Sequence, residues 1–405
     1  MPPEDRPSVA GFLGSVALRF RLLRETRFGS FGPVLLALAV IWLWFGITEP
    51  AFLSPRNIYF LFMQSAVVGT LAVGLTVVLL LGEIDLSAAA MAGVCAALLA
   101  VLLLGGTPAP LAILAAIALG VTMGLAQGLM VVFFGIPSFV VTLAGLLGFQ
   151  GLMLKILGIQ GAINMRDPAV RALTTVAFPP AWGWGLGIAC ALAFAAFALH
   201  DQMRRRARNL ESDSVAALSG RIAFIAILVL AAVGTLNNYR GVPLLVVVLV
   251  ALTAILGWIT TSTPFGRSLF AVGGNAETAR RAGMSVRTVR VAAFGIVGLM
   301  AAIGGIVGAS RYASVSFNAF AGGPLLLEAI GAAVIGGTSL FGGRGSVWNA
   351  ILGALVIGSL GNGLDLSGAS AADKLMFSGA ILLLAAAMDA VSRQGANFSR
   401  GGDAA

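Results

Sequence analysis

Few residues in this chain could do covalent chemistry. His200 is the one histidine, so neither a histidine-based triad nor a multi-histidine metal site can be built. Cys95 and Cys190 sit inside apolar runs, Ala-Gly-Val-Cys-Ala-Ala and Gly-Ile-Ala-Cys-Ala-Leu, and read as inert core thiols. A phosphate-binding loop needs a Gly-Lys-Ser/Thr sequence, but the two lysines, Lys155 and Lys374, follow Leu154 and Asp373. Leu218-Ser219-Gly220 runs into Arg221 and carries no weight as a nucleotide signature. What remains is a set of polar groups set in apolar sequence: Glu83, Asp85 and Ser87; Glu328; and Thr338 and Ser339. Asn164, Asn318 and Asn349 add amides able to hydrogen-bond hydroxyl groups. These suit binding and passage better than bond-breaking, and neither a metal nor a cofactor is expected.

The elements that position them follow from composition. Of 405 residues 59% are hydrophobic and 10% charged, with a mean hydropathy of +0.99. A soluble fold of this composition would expose large apolar patches. A spanning helix needs about 20 apolar residues, and twelve apolar segments are found: 32–48, 58–81, 86–104, 108–134, 137–157, 181–200, 221–238, 243–262, 291–311, 324–341, 346–364 and 372–390. The expected fold is an all-α polytopic membrane protein of about 12 (10–14) helices in one domain. Glycine and proline interrupt several segments, notably at Gly82 and Gly135-Ile136-Pro137, so some helices should be broken or re-entrant. Gly120, Gly124 and Gly128 form one small-residue face and Gly304 with Gly308 another, as close helix packing in lipid requires; packing within the chain is favoured over a dimer seam.

With the N-terminus inside, 18 of the 25 basic residues fall on the cytoplasmic side, as the positive-inside rule asks. Residues 1–31 and 391–405 are then cytoplasmic tails, and Arg204, Arg205, Arg206 and Arg208 anchor another inner loop. Glu83 and Asp85 lie where two segments join, either solvated at the inner face or drawn inward to line a cavity. Glu328 sits about one turn into its span, where water still reaches it. The scarcity of buried charge argues against a proton- or sodium-coupled carrier. Nucleic-acid binding is the weaker reading of the +9 net charge.

The cytoplasmic segment 264–290 has a net charge of +4 and a bracketed short helix. Asn275 is a good N-cap, Ala276 and Glu277 open the first turn, Ala279, Arg280 and Arg281 follow, and Gly283 ends it. A two-turn helix over 276–282 is marginal alone, so it reads either as a positive retention loop or as a docking helix held by a partner.

The run Phe-Gly-Arg…Ala-Val-Gly-Gly-Asn-Ala-Glu-Thr-Ala-Arg-Arg-Ala-Gly-Met resembles the coupling loop of bacterial ABC-importer permeases, whose Glu-Ala-Ala-xxx-Gly pattern falls on Glu277, Thr278, Ala279 and Gly283. Gly82-Glu83-Ile84-Asp85-Leu86-Ser87 is similar to the Gly-Gly-Ile-Asp-Leu-Ser stretch of ribose/xylose-type sugar permeases, with Glu83 in place of a glycine. Leu327-Glu328-Ala329-Ile330 and Val334-Ile335-Gly336-Gly337-Thr338-Ser339-Leu340 resemble the same family, with Glu328 where an aspartate is usual. The extra pair of segments over 181–238 looks more like the xylose than the ribose permeases. The resemblance implies a permease subunit of an ABC importer for xylose or a similar monosaccharide, in the bacterial inner membrane with both termini cytoplasmic. It implies a homodimer, two ATPase copies or domains, and an external sugar-binding protein. A nucleoside permease, a self-sufficient secondary carrier and an intramembrane enzyme are the alternatives.

Overall fold

Capping residues and prolines divide the apolar sequence into rods. The structure is a computed structural model, in which residues 32–210, 212, 214–321, 323–380, 383 and 387 are described. The tails 1–31 and 391–405, and residues 381, 382, 384–386 and 388–390 of the segment expected at 372–390, lie outside the described residues; a helical run covers 371–380. The helices are α1 (Gly32–Thr48), α2 (Pro55–Leu79), α3 (Ala88–Leu104), α4 (Ala109–Phe133) and α5 (Ser138–Leu157). Then come β1 (Ala162–Asn164), α6 (Pro168–Thr175), β2 (Ala177–Phe178), α7 (Pro180–Ala207), α8 (Val215–Asn237), β3 (Val242–Pro243) and α9 (Leu244–Ser262). The rest are α10 (Pro264–Gly274), α11 (Ala276–Arg281), α12 (Val286–Tyr312), β4 (Ser314–Ser316), α13 (Phe317–Phe320), α14 (Leu325–Ile335) and α15 (Val347–Leu366).

Among the described residues nine segments are long and apolar enough to cross a membrane, counting α13–α14 as one, and α1 and α3 are shorter apolar helices. Starts are specified locally. Ser54 accepts from the Asn57 N–H, Ser214 from Ala217 and Ser285 from Thr288, while Pro55, Pro168, Pro180 and Pro264 open their helices. The expected breaks at Gly82 and Gly135 are present, both with positive φ. The segment expected at 324–341 instead runs over 317–335. Gly337 (φ +86°) follows its last turn, and a short helix precedes Pro324.

α12 is the central strut, packed on α4, α2 and α3. A Cβ added at Gly120 would stand 2.5 Å from the Gly298 carbonyl oxygen, and one at Gly128 2.9 Å from Val291 Cα. Gly124 meets the Phe294 carbonyl in the same way, so the two backbones touch along this face. Gly304 makes room for Leu71 of α2 and Gly308 for Phe320 of α13. All five glycines therefore serve contacts within the chain. α7 and α8 pair with each other at the periphery, and their spanning windows are 17% and 6% buried. Cys190 lies on that outer hairpin and is exposed, not in the core as its sequence context suggested; Cys95 is buried. An apolar run marks either a protein-facing or a lipid-facing surface, which is why the two thiols read alike.

The connections sort to two ends of the bundle. At one end β1 pairs antiparallel with β4, Ile163 opposite Val315, and β2 pairs with β3. The other end gathers 80–87, 134–138, 263–286 and 336–346, and every candidate functional segment except those of Glu328, Asn164 and Asn318 belongs to it.

Candidate functional site

Three consecutive helices make the coupling segment, and each boundary has a cap. Thr263 accepts the Gly266 N–H at the start of α10, and Asn275 accepts the Thr278 N–H at 2.9 Å at the start of α11. α11 ends one residue before the expected 282. The Gly283 N–H donates to the Arg280 carbonyl and the Met284 N–H to the Ala279 carbonyl, with Gly283 at φ +81°. That pair of bonds is a Schellman closure, and only glycine takes its left-handed residue without strain. Of α11, Ala279 alone is buried. Glu277 pairs with Arg280 at 2.8 Å and with Arg281 at 3.0 Å on the exposed face. Hydrogen bonds from Arg280 and then Arg281 hold the Glu277 carboxyl below its ordinary value of 4.5. The result is a small charged knob with a pinned backbone and a single apolar foot.

The knob is tied to the bundle on both flanks. Upstream, the Gly343 N–H donates to the Leu80 carbonyl at 2.9 Å, just past α2. Gly273, at the end of α10, lies so close that a Cβ there would collide with that same Leu80 carbonyl and sit 2.8 Å from the Gly343 nitrogen. A Cβ at Gly342 would stand 2.7 Å from the Gly82 nitrogen and 2.8 Å from the Gly273 carbonyl. Three segments thus meet backbone to backbone. Downstream, Arg290 of α12 forms an ion pair with Glu83 at 2.9 Å, with both side chains largely covered. Its Nε–H is not aligned as a hydrogen bond, so the contact is mainly coulombic.

Asp85 and Ser87 order the break between α2 and α3. The Asp85 carboxylate accepts from the Ser87 N–H and Oγ, both at 2.7 Å, and the Gln127 amide donates to Ser87 Oγ at 2.9 Å. Burial pushes the Asp85 carboxyl up, and the bonds from Ser87 and Ala88 oppose that shift. Thr142 donates to the Ile84 carbonyl at 3.2 Å. Thr338 and Ser339 are buried in the loop that carries Gly342 and Gly343; the Phe341 N–H donates to Ser339 Oγ. Asp85, Ser87, Thr338 and Ser339 therefore sit in packed interior at the junction, and Glu83 is ion-paired rather than free.

Glu328 stands apart. It is in the first turn of α14, about one turn in as expected, and α14 belongs to an apolar segment counted from Phe317 to Ile335. Asn349 is buried on α15, Asn318 is exposed on α13, and Asn164 lies in β1.

Sequence reasoning missed Gly273, Gly342, Gly343, Arg290 and Gln127. Gln127 carried a signal, as the one amide in the apolar run 109–133. The glycines carried none, since a close approach between distant segments leaves no local pattern.

The family described as branched-chain amino acid transport system / permease component matches residues 57–386. The xylose transport system permease protein of Escherichia coli (strain K12) is 37% identical over 389 residues, covering 96% of each chain. That of Haemophilus influenzae is 36% identical over 89% of this chain and 96% of its own. The ribose import permease protein of Bacillus subtilis is 31% identical over 88% of this chain and 92% of its own. No solved structure matches the chain.

Proposed function

The chain belongs to the family of the branched-chain amino acid transport system permease component, and from that premise we propose that it is the membrane-spanning subunit of an ATP-driven importer for a monosaccharide, xylose or a pentose like it. It is a transport permease and not an enzyme. The observation that carries the substrate class is near end-to-end likeness to xylose permeases at 37% identity, against 31% for the ribose permease. In this reading two copies form the channel in the bacterial inner membrane, and both termini and the loop 264–290 face the cytoplasm. Each α11 docks on one of two ATPase copies or domains, and an external sugar-binding protein delivers substrate to the opposite face. Closure of the ATPases pushes α11. The Gly273–Leu80–Gly343 junction and the Arg290–Glu83 pair pass that push to α2, the loop 336–346 and α12.

The chain purified free of other subunits should show only background ATPase activity, because it has no phosphate-loop lysine. Hydrolysis that tracks with this chain through purification would overturn the reading. A second expectation concerns pH. Because Glu277 is held below its ordinary value, its ion pairs contribute fully above that value and are lost only as pH falls through the lowered one. Co-purification of the ATPase should therefore be flat from roughly pH 8 to pH 6 as far as Glu277 is concerned. Glu277→Gln should weaken it throughout that range; a docking strength that titrates near neutrality in wild type but not in Glu277→Gln would contradict this.

A further inference from the structure

Glu328 is the one carboxylate among the described residues that has neither a hydrogen bond nor an ion pair within the chain. Glu49 pairs with Ser367, Glu83 with Arg290, Asp85 with Ser87, Asp167 caps α6, Asp201 pairs with Arg205, Glu277 with two arginines, Asp365 with Lys374 and Asp373 with Ser370. Glu328 also lies in an apolar segment long enough to span, Phe317–Ile335, in the first turn of α14, and it is only partly covered. An unpaired carboxylate facing acyl chains is strongly disfavoured, and such groups face a water-filled cavity or the interior of an assembly. The face bearing Glu328 is therefore turned away from lipid, toward a water-filled cavity or a subunit seam.

Its surroundings are those of a polyol site. The helix is broken between Phe320 and Leu325, and the Gln150 amide of α5 donates to the freed Ala321 carbonyl at 2.7 Å. Broken backbone at membrane depth is tolerated where it is buried in protein or lines a cavity. Tyr312 ends α12 on the α13 side of the break. Tyr312 is exposed, with its ring held edge-on to Phe320 at 5.9 Å, and Asn318 is exposed on the same short helix as Phe320. An acceptor carboxylate, a phenol able to donate or accept, an amide and an aromatic ring together match the alternating hydroxyls and apolar C–H face of a sugar. Among the described residues no cationic group pairs with Glu328 by contact, which suits a neutral ligand.

We propose that Glu328 of α14 and Tyr312 at the end of α12, with Asn318 of α13, line the translocation pathway and hydrogen-bond the hydroxyls of the passing monosaccharide. The proposal depends on the sugar-importer reading above and deepens it. The carboxylate accepts from one or two hydroxyls, and the α13–α14 break gives the sugar backbone polar groups in place of water.

The test is uptake by proteoliposomes holding the full complex, with the same binding protein throughout, comparing D-xylose with each of its monodeoxy analogues. Wild type, Glu328→Gln and Tyr312→Phe are measured at matched assembly. Glu328→Gln should lower xylose uptake by roughly tenfold or more, the loss of a hydrogen bond to a charged acceptor, while binding-protein-stimulated ATP hydrolysis persists. The penalty for removing one particular hydroxyl should shrink in that variant, because the group it addressed is gone. Tyr312→Phe, a change at an exposed hydroxyl, gives the same comparison if Glu328→Gln does not assemble. Deoxy penalties equal to wild type in the variants would overturn the proposal, whatever the absolute rates. Loss of the dimer with those penalties unchanged would assign the carboxylate to a subunit seam and also overturn it. Wild type that accumulates no sugar would overturn the importer reading and this inference with it; wild type that transports, with unchanged penalties in the variants, removes this inference alone.

Discussion

A methyl group added at Gly273 is expected to lower sugar uptake by roughly 5- to 150-fold, whereas the same methyl at Gly274 leaves it near normal. Both glycines end α10, and in a helix alanine is favoured over glycine by roughly 1 kcal/mol, so propensity alone predicts a gain at both. Packing separates them. A Cβ at Gly274 meets nothing within 4 Å, but one at Gly273 collides with the Leu80 carbonyl and crowds the Gly343 nitrogen. Neither partner is the free end of a side chain, so backbone must move, and overpacking of this kind costs about 1–3 kcal/mol. Applied to the coupling between α11 and the bundle, that is a loss of roughly 5- to 150-fold. The check is ATP-driven uptake by the reconstituted complex for Gly273→Ala and Gly274→Ala at matched protein. Equal activity in the two variants would mean that the junction is packing without a transmitting role.

Gly283→Val should abolish transport, by a different route. No atom lies within 4 Å of a Cβ at Gly283, so the substitution meets no clash. The strain is conformational. At φ +81° a β-branched residue costs about 1–2 kcal/mol or more, and the six-residue α11 has little stability of its own to absorb it. The bonds from Gly283 to Arg280 and from Met284 to Ala279 should be lost and the end of α11 unwind. Uptake should vanish and the ATPase should co-purify weakly, while the chain remains in the membrane because no span is touched. Gly283→Asn, a residue that tolerates the left-handed region, should retain more of both activities. Normal uptake with an intact complex in Gly283→Val would reduce 276–281 to a retention loop.

The two variants also show what a sequence makes legible. The α11 helix could be read because its signals are local: Asn275, Glu277 and Gly283 lie within nine residues and each acts on its own neighbours. The same holds for the spans, whose apolar runs and flanking prolines place most ends within a few residues. The junction could not be read, because Gly273, Leu80 and Gly343 come from three distant segments and nothing in any one of them encodes the approach of the other two. Glu83 illustrates the middle case. Its carboxylate stood out at a break between spans, but its partner Arg290 looked like one more positive-inside residue. Glu328 was visible as an acid in an apolar segment, but the short α13 that precedes that segment was not, because four residues carry no periodicity.

The most direct test of the account is ATP-dependent accumulation of labelled D-xylose in proteoliposomes assembled from this chain, its ATPase and its sugar-binding protein. The account predicts uptake that requires ATP and all three components, and that disappears when the ATPase is omitted. Accumulation driven by a proton or sodium gradient with the ATPase and ATP left out would contradict it.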